Sequence, residues 1–278
     1  MAENNSDRDL EVDETNNKFN KTNYQLAVEL EELKNFVFKK VHFVQVPNKW
    51  KFFVNNRVCW EFTCVNSNSS KCACDKGNGF IQLIDDENIK YIKCEQSMFG
   101  WIASMFGSLN GMNKLYFVVS ENTFNKPTND CSTFTSFYFE VKIKFENENK
   151  DDILMVFGLI RDKEMVYLSK TCDAICYGHM GQVGKIPFPS LTFNDGDTYG
   201  CGIIYSPTKM TGISPTRIFI TQNGQLIGKA IKVKDDNNYT PWIRLKLCSV
   251  ETNFGNDLTT KPFKYDISKH IVTDEFYN

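Results

Sequence analysis

The sequence has no surplus of basic residues, no long apolar run and very little histidine. Its 32 lysines and arginines face 34 aspartates and glutamates, so the net charge at pH 7 is −2. This balance argues against nucleic acid as the main partner, because neutralising a phosphate backbone takes an excess of Lys and Arg. No apolar run approaches the roughly 20 residues that a membrane-spanning helix requires. The composition therefore predicts a soluble protein.

The first residues lack the apolar segment of a secretory signal. They read MAENNSDRDLEVDETNN, which is polar and acidic, whereas a signal peptide carries an apolar stretch of about 7 to 15 residues. We therefore expect the protein in the cytoplasm or the nucleus. In such a reducing compartment, its ten cysteines are expected as thiols rather than disulfides.

Motifs for phosphate, dinucleotide and calcium binding are incomplete. The segment GHMGQVGK, at 178–185, has one residue too many between its glycines for a phosphate loop, and no Ser or Thr follows its lysine. Gly200 and Gly202 give only a GxG, without the third glycine of a dinucleotide fold. Asp195 and Asp197 are not followed by the glutamate that closes a calcium loop. No cofactor is therefore predicted.

Catalytic residues are missing as well. The three histidines are His42, His179 and His270, and no HExxH or GxSxG pattern is present. Cys176 and His179 could form a Cys–His dyad, but residues three apart on a strand face opposite sides. The sequence predicts a protein that is not an enzyme.

Four cysteines cluster in CWEFTCVNSNSSKCACDKG. Cys59, Cys64, Cys72 and Cys74 are separated by four, seven and one residues, whereas zinc ligands usually pair across two to four residues. Scattered reduced cysteines are the favoured interpretation, and no metal ligand is predicted. A zinc-binding protein that uses the Cys59–Cys74 cluster is the alternative.

Short β-type runs dominate from residue 41 onward. In YFEVKIKF, at 138–145, apolar residues alternate with polar ones, which is typical of a half-buried strand whose inward side chains belong to Phe139, Val141, Ile143 and Phe145. Asn223-Gly224 predicts a two-residue hairpin of type I′, because that turn needs positive φ at both central residues. Many short strands with frequent turns predict an all-β, antiparallel β-sandwich.

Three segments stand apart from the strands. Residues 1–21 are acidic and rich in Asn, which predicts a disordered tail. Residues 22–40 carry apolar side chains at helical spacing behind a capping box of Thr22 and Gln25, which predicts a short helix. The segment MFGWIASMFGSL, at 98–109, predicts a short helix lying on the sandwich or an apolar docking surface.

Six segments follow one another in the second half of the chain: YFEVKI, VFGLI, ICYGHMGQVGK, FNDGDTYGCGIIY, RIFITQNGQLIGKAI and TPWIRLKLCSVETNFGNDLTTKPFKYDI. Together they resemble the SPRY (B30.2-like) domain family, which typically shows a GD-x-x-GCG strand, an F-x-T-x-NG hairpin and a closing NFG with Pro-Phe. The clear match covers 138–267. With its Asn-rich insertions, the whole pattern is similar to lineage-expanded nematode SPRY-domain proteins.

The resemblance implies a SPRY-like β-sandwich over 41–270 that acts as a non-catalytic protein–protein interaction module. Such domains bind a peptide or protein partner through loops at one end of the sandwich. The alternative is a substrate-receptor or adaptor subunit of a ubiquitin-ligase complex. Because no ring-type cysteine/histidine pattern is present, that role would require separate ubiquitin-ligase subunits as partners.

The resemblance also assigns roles to individual positions. The expected partner-binding residues are Arg161, Asp162, Tyr167, Cys248, Ser249 and Val250. The last three are expected in a loop before the closing NFG, where this chain has LCSVE instead of the Trp-Gly of many peptide receptors in the family. FNDGDTYGCGIIYSP is expected as a turn and a core strand, with Gly200 and Gly202 leaving room for the facing sheet.

Overall fold

Two β-sheets packed face to face form the body of the protein in a computed structural model. The structure describes residues 18–30, 41–52, 78–94, 112–127, 133–179, 182–188, 191–207, 216–233 and 238–272. The strands are β1 (Val41–Phe43), β2 (Trp50–Phe52), β3 (Phe80–Leu83), β4 (Asn88–Ile92), β5 (Tyr116–Ser120), β6 (Phe134–Phe145), β7 (Leu154–Arg161), β8 (Glu164–Ser169), β9 (Ala174–His179), β10 (Gln182–Pro187), β11 (Thr198–Tyr205), β12 (Arg217–Gln222), β13 (Gln225–Lys232), β14 (Thr240–Lys246) and β15 (Cys248–Asn253).

The strand order confirms the predicted antiparallel sandwich. The first sheet runs β13-β12-β11-β6-β15-β4-β3, and β1 lies parallel to the beginning of β6. The second sheet runs β10-β9-β8-β7-β14-β5-β2. Neighbours within each of these two series pair in antiparallel fashion. Long central strands, β6 in the first sheet and β7 in the second, therefore face each other across the core.

Alternating side chains of the two sheets fill the space between them. Phe139, Val141 and Ile143 of β6 are buried there, as the alternation in the sequence predicts. Phe157 of β7 meets the Phe139 ring edge-on, with centroids 6.2 Å apart. Offset and edge-to-face aromatic contacts of this kind add to the gain from burying the rings themselves. The core therefore forms from the period-two pattern of each strand.

The outer face of the first sheet is more covered than the sequence predicts. Tyr138 and Glu140 are only 1% and 5% exposed, although half of this strand was expected to face solvent. The C-terminal segment, defined here as residues 263–272, lies over them. The Glu140 carboxylate accepts hydrogen bonds from the backbone N–H groups of Lys264 and Tyr265, each at 2.8 Å, so it ties this segment to the sheet.

Gly200 and Gly202 of β11 face this outer layer and not the opposing sheet. This corrects the expectation that they leave room for the facing sheet. A Cβ atom on Gly200 would lie 1.9 Å from the Tyr138 hydroxyl, and one on Gly202 would lie 2.3 Å from the Phe219 ring. Both rings stand on the neighbouring strands β6 and β12 and stack at 5.7 Å. The glycines therefore leave space for rings within the same sheet.

The predicted hairpin and acidic turn are both confirmed as structural elements. Asn223 and Gly224 have φ values of 50° and 82°, and Gln222 pairs with Gln225 around them. The Asp197 carboxylate accepts hydrogen bonds from the Asn194 backbone and the Asn223 side chain. Burial would raise the pKa of Asp197, but these bonds and those from Tyr199 and Gln222 lower it on balance.

The N-terminal helix is present and begins earlier than expected. Residues 18–30 are helical and exposed. The Thr22 hydroxyl lies inside the helix and donates to the Lys18 carbonyl at 2.9 Å, so Thr22 is not its N-cap. Among the residues that the structure describes, no helix has the length and apolar character needed to cross a membrane. Residues 31–40 of the predicted helix, the 98–109 segment, the Cys59–Cys74 cluster and residues 1–17 lie outside the described part.

Candidate functional site

Cys248, Ser249 and Val250 belong to strand β15 and not to a loop, which corrects the expectation. All three are buried, because this stretch pairs with β6 along Phe145 to Glu140. The Ser249 hydroxyl donates to Glu146 at 2.5 Å and accepts from the Tyr91 backbone at 2.8 Å. The Cys248 and Val250 side chains belong to the core between the sheets, and Ser249 lies on the outer face of β15 with its hydroxyl already engaged by these two hydrogen bonds.

Arg161 and Asp162 mark the end of β7, where the chain turns into β8. Arg161 is only 9% exposed; its guanidinium donates to the Glu164 carboxylate at 2.7 Å and lies 5.7 Å from the centre of the Tyr239 ring. Asp162 is exposed and adopts a left-handed φ of 51°. The turn thus presents Asp162 to solvent, while Arg161 is held by its own chain.

Tyr167 lies on the outer face of the second sheet and contacts Trp242. Their rings meet edge-on with centroids 5.5 Å apart. The two residues stand on β8 and β14, on either side of β7, and both pair with Gly158. Strands two apart are separated by about 9.6 Å, and the rings meet across Gly158, where a Cβ atom would collide with the backbone of β8 at Val166 and Tyr167.

Phe117 and Arg244 extend this contact across the sheet. The Arg244 guanidinium lies 5.4 Å from the centre of the Phe117 ring and 5.5 Å from that of Trp242. Such stacking holds an arginine in place while its N–H groups stay available. We call Phe117, Tyr167, Trp242 and Arg244 the aromatic face.

The aromatic face has a buried base and an accessible rim. Trp242 is 1% exposed, whereas Phe117, Tyr167 and Arg244 are each partly exposed. Within the described part of the chain, no carboxylate forms a salt bridge with Arg244 and no acceptor meets Trp242 Nε1. A partner could therefore meet a fixed positive charge beside apolar rings.

The expected site residues do not form one cluster. Arg161 is the last residue of β7, while the Cys248 thiol donates to the carbonyl of Leu154, the first residue of that strand. The eight residues of β7 span roughly 23 Å at the usual rise of a strand. Of the six, Asp162 and Tyr167 are the ones with surface to offer.

Trp242 and Arg244 were not among the expected partner-binding residues, although the sequence contained a signal for them. In TPWIRLK, Ile243 and Leu245 face the core, so Trp242 and Arg244 share the opposite face of β14. A tryptophan and an arginine on the side of a strand that faces away from the core indicate a surface with a role in contact.

A depression lies on the outer face of the first sheet. It has a volume of about 370 Å³ and lies between β4, β6 and β15. Its lining combines basic side chains with the carboxylates of Glu146 and Glu251, so it has no dominant charge. Within the described residues, no group of three His, Cys, Asp or Glu could hold a metal ion.

No protein-family model matches the chain, and no curated protein matches its sequence. Among solved structures, it is similar to a human SPRY domain, with 17% identity over 64% of this chain and 97% of that one at a TM-score of 0.40. It is also similar to a carbohydrate-binding module from Bacillus subtilis (10% identity, 51% and 80% coverage, TM-score 0.33). A third similar structure is an alginate lyase (11% identity, 50% and 66% coverage, TM-score 0.25). These similarities carry no inference about ligand or activity.

Proposed function

We propose that this protein is a non-catalytic binding module that holds a protein or peptide partner on the aromatic face. Arg244 would pair with a carboxylate of the partner, and Phe117 and Tyr167 would contact an apolar side chain next to it. The observation that carries the proposal is the stacking of Arg244 on two rings without a carboxylate from the described residues of its own chain.

Physical chemistry favours such a patch as a contact site. Tyr, Trp and Arg are enriched among the residues that dominate binding energies, because they combine large contact area with directional hydrogen bonds. Arginine presents five donors in a planar fork that matches a carboxylate. Stacking on Phe117 and Trp242 fixes that fork before binding, so less side-chain entropy is lost.

The turn after β7 borders the aromatic face. Ile160 and Met165 flank the turn and belong to the same apolar cluster as Trp242. Asp162 would then extend the contact surface at one end of the sandwich, as the sequence predicts. Arg161 would act indirectly by holding Glu164 and the shape of the turn.

The test is affinity capture with the full chain, followed by mass spectrometry of the captured proteins. Wild type is compared with the double variant Tyr167→Ala and Arg244→Ala, and with Lys232→Ala, a charge loss at an exposed position of the first sheet. We expect the double variant to lose the partner, since each truncation at such a site costs about 2 kcal/mol or more. The Lys232→Ala control should retain it.

The same experiment separates the alternatives. Recovery of cullin or ring-type subunits would favour the ubiquitin-ligase receptor, whereas an unrelated partner would favour a stand-alone module. Arg244→Lys keeps the charge but loses the planar fork, so it should bind more weakly than wild type. A folded double variant that captures the same partner with wild-type affinity would refute the proposed site.

A further inference from the structure

The N-terminal helix, residues 18–30, leaves its apolar side chains open to solvent. Each of its thirteen residues is exposed, and Phe19, Leu26 and Leu30 have exposed fractions of 64%, 57% and 54%. A single helix of about 12 to 15 residues is only marginally stable in water unless another surface covers its apolar side. The helix therefore requires a covering surface beyond the sandwich described above.

The exposed apolar side chains form a stripe with coiled-coil spacing. Phe19, Leu26 and Leu30 stand seven and four positions apart, so they lie within about 40° of one another around the helix. In the sequence, Leu33 and Val37 continue the same spacing. Apolar residues that alternate three and four positions apart are typical of helices that pair along a seam. We call Phe19, Leu26 and Leu30 the apolar stripe.

Asn23 lies in the middle of the apolar stripe. It stands four positions after Phe19 and three before Leu26, so it shares their side of the helix. A single asparagine between two paired helices selects a register in which another polar group meets it, because a buried amide without a hydrogen-bond partner is costly. A second copy of the same helix, parallel and in register, provides that group as its own Asn23.

An antiparallel copy would not satisfy Asn23. When two such helices overlap along residues 18–30 in opposite directions, Phe19 faces Leu30 and Asn23 faces Leu26. Each Asn23 amide would then be buried against an apolar side chain, which costs free energy. The asparagine therefore favours the parallel pair.

The charges of the helix agree with a parallel pair. Lys18 and Lys21 lie away from the apolar stripe, so the lysines of two copies stay apart. Glu29 flanks the stripe, and Lys34 stands five positions after it in the sequence. This is the spacing at which opposite charges that flank the seam of two parallel helices attract each other.

We propose that the N-terminal helix is a self-association surface that joins two copies of this protein as a parallel, in-register coiled coil. The apolar stripe of one copy packs against that of the other, and the two Asn23 amides hydrogen-bond to each other between them. The pairing uses no residue of the aromatic face, so its test is independent of the proposed function.

Sedimentation of the full chain tests the association. We expect wild type with twice the mass of one chain. Leu26→Lys should raise the dissociation constant by about a hundredfold or more, because each copy loses a buried leucine. Val28→Lys, on the opposite side of the same helix, is the matched control and should remain a dimer. A wild-type monomer, or a dimer that Leu26→Lys leaves unchanged, would overturn the proposal.

Asn23→Leu tests the place of Asn23 in the apolar stripe. A leucine should tighten the dimer only if position 23 lies between the two helices, since paired asparagines set the register at a cost in stability. Gln25→Leu, at an outer position of the helix, should leave the dissociation constant unchanged. A dimer that Asn23→Leu weakens or leaves as it is would contradict the assigned seam. Circular dichroism checks that each variant keeps its folded sandwich.

Disulfide cross-linking tests the parallel orientation. In the proposed dimer, two Asn23→Cys copies bring their Cα atoms within the roughly 4.4 to 6.8 Å that a disulfide requires. After mild oxidation, cleavage after Lys21 and Lys34 should release peptide 22–34 as a disulfide-linked pair. Gln25→Cys, in the same peptide but on the outside of the dimer, should give no such pair. Absence of the linked peptides from Asn23→Cys would refute the parallel arrangement.

Discussion

At the residue scale, the absence of a side chain at Gly200 decides how the aromatic rings pack on the outer face of the first sheet. Gly200 leaves room for the Tyr138 hydroxyl, which donates to Glu140 at 2.9 Å and shares a hydrogen bond with Thr221 at 2.7 Å. These contacts tie β6 to β12 across β11. Any Cβ at position 200 would occupy the place of that hydroxyl.

We predict that Gly200→Ala destabilises the protein by about 1 to 3 kcal/mol, the usual range for overpacking a core. Urea unfolding followed by circular dichroism measures the change. Combining it with Tyr138→Ala should give less than the sum of the two single effects, because the second substitution removes the overlapping ring. Strict additivity would show that the two positions do not interact.

A second residue prediction concerns the Asn223-Gly224 hairpin. Gly224→Val should destabilise by about 1 to 3 kcal/mol, since it forces a β-branched residue into the left-handed region. A side chain at position 224 would also approach the Lys264 carbonyl to 2.7 Å. Gln225→Val, at the next exposed position, is the matched control. An unchanged unfolding midpoint for Gly224→Val would contradict this account.

At the element scale, the C-terminal segment converts a solvent-facing sheet into a second core. Ile267 and Val272 are buried against the outer face of the first sheet. The His270 ring packs on Phe219 with centroids 4.5 Å apart, and Tyr265 Oη lies 2.6 Å from His270 Nδ1. A histidine in this position must stay neutral, because its charge would be buried.

The pH dependence of stability follows from His270. Burial lowers its pKa to about 4 in the folded protein, against 6.5 for an exposed histidine. Between these two pKa values the unfolded chain binds more protons than the folded protein. The contribution of His270 to the free energy of unfolding is therefore complete above about pH 6.5 and is lost as the pH falls toward 4. We predict that the free energy of unfolding falls by about 2 kcal/mol between pH 7.5 and pH 5.

Two variants isolate this contribution. His270→Gln should be less stable than wild type at both pH values. Its free energy of unfolding should, however, differ much less between pH 7.5 and pH 5 than that of wild type. His42→Gln, at an exposed position, should keep the wild-type pH dependence. Urea titrations at pH 7.5 and pH 5 measure all three proteins, and an identical pH dependence in His270→Gln would exclude His270 as the source.

At the scale of the whole molecule, a single apolar cluster joins both sheets. It includes Phe139, Ile203 and Val250 of the first sheet and Phe157 and Ile243 of the second. The C-terminal segment covers a smaller cluster on the outside of the first sheet. Because β6 and β12 contribute to both clusters, loss of the outer layer should weaken the entire domain.

We predict that truncation before residue 262 prevents stable folding. It removes Phe263, Tyr265, Ile267 and Val272, whose burial contributes on the order of 5 to 10 kcal/mol, comparable to the whole stability of a domain. Truncation after Val272 is the control and should fold. Soluble expression and circular dichroism distinguish the two, and a cooperative wild-type melt of the shorter chain would refute the prediction.

The sequence by itself determined several elements of this protein. Alternation along β6 predicted its inward residues, and Asn223-Gly224 predicted the type I′ hairpin. These features are local, because side-chain period and backbone φ depend on a few neighbouring residues. The antiparallel sandwich followed from the number and length of such elements.

Only the tertiary structure decided which face each element covers and which residues meet. It placed Ser249 in a strand, directed Gly200 toward Tyr138, and brought Tyr167 to Trp242 across Gly158. These outcomes depend on strand order and register, which join residues such as Tyr91 and Ser249, 158 positions apart, and leave no mark in a local pattern. The aromatic face therefore exists only once β8, β7 and β14 lie side by side.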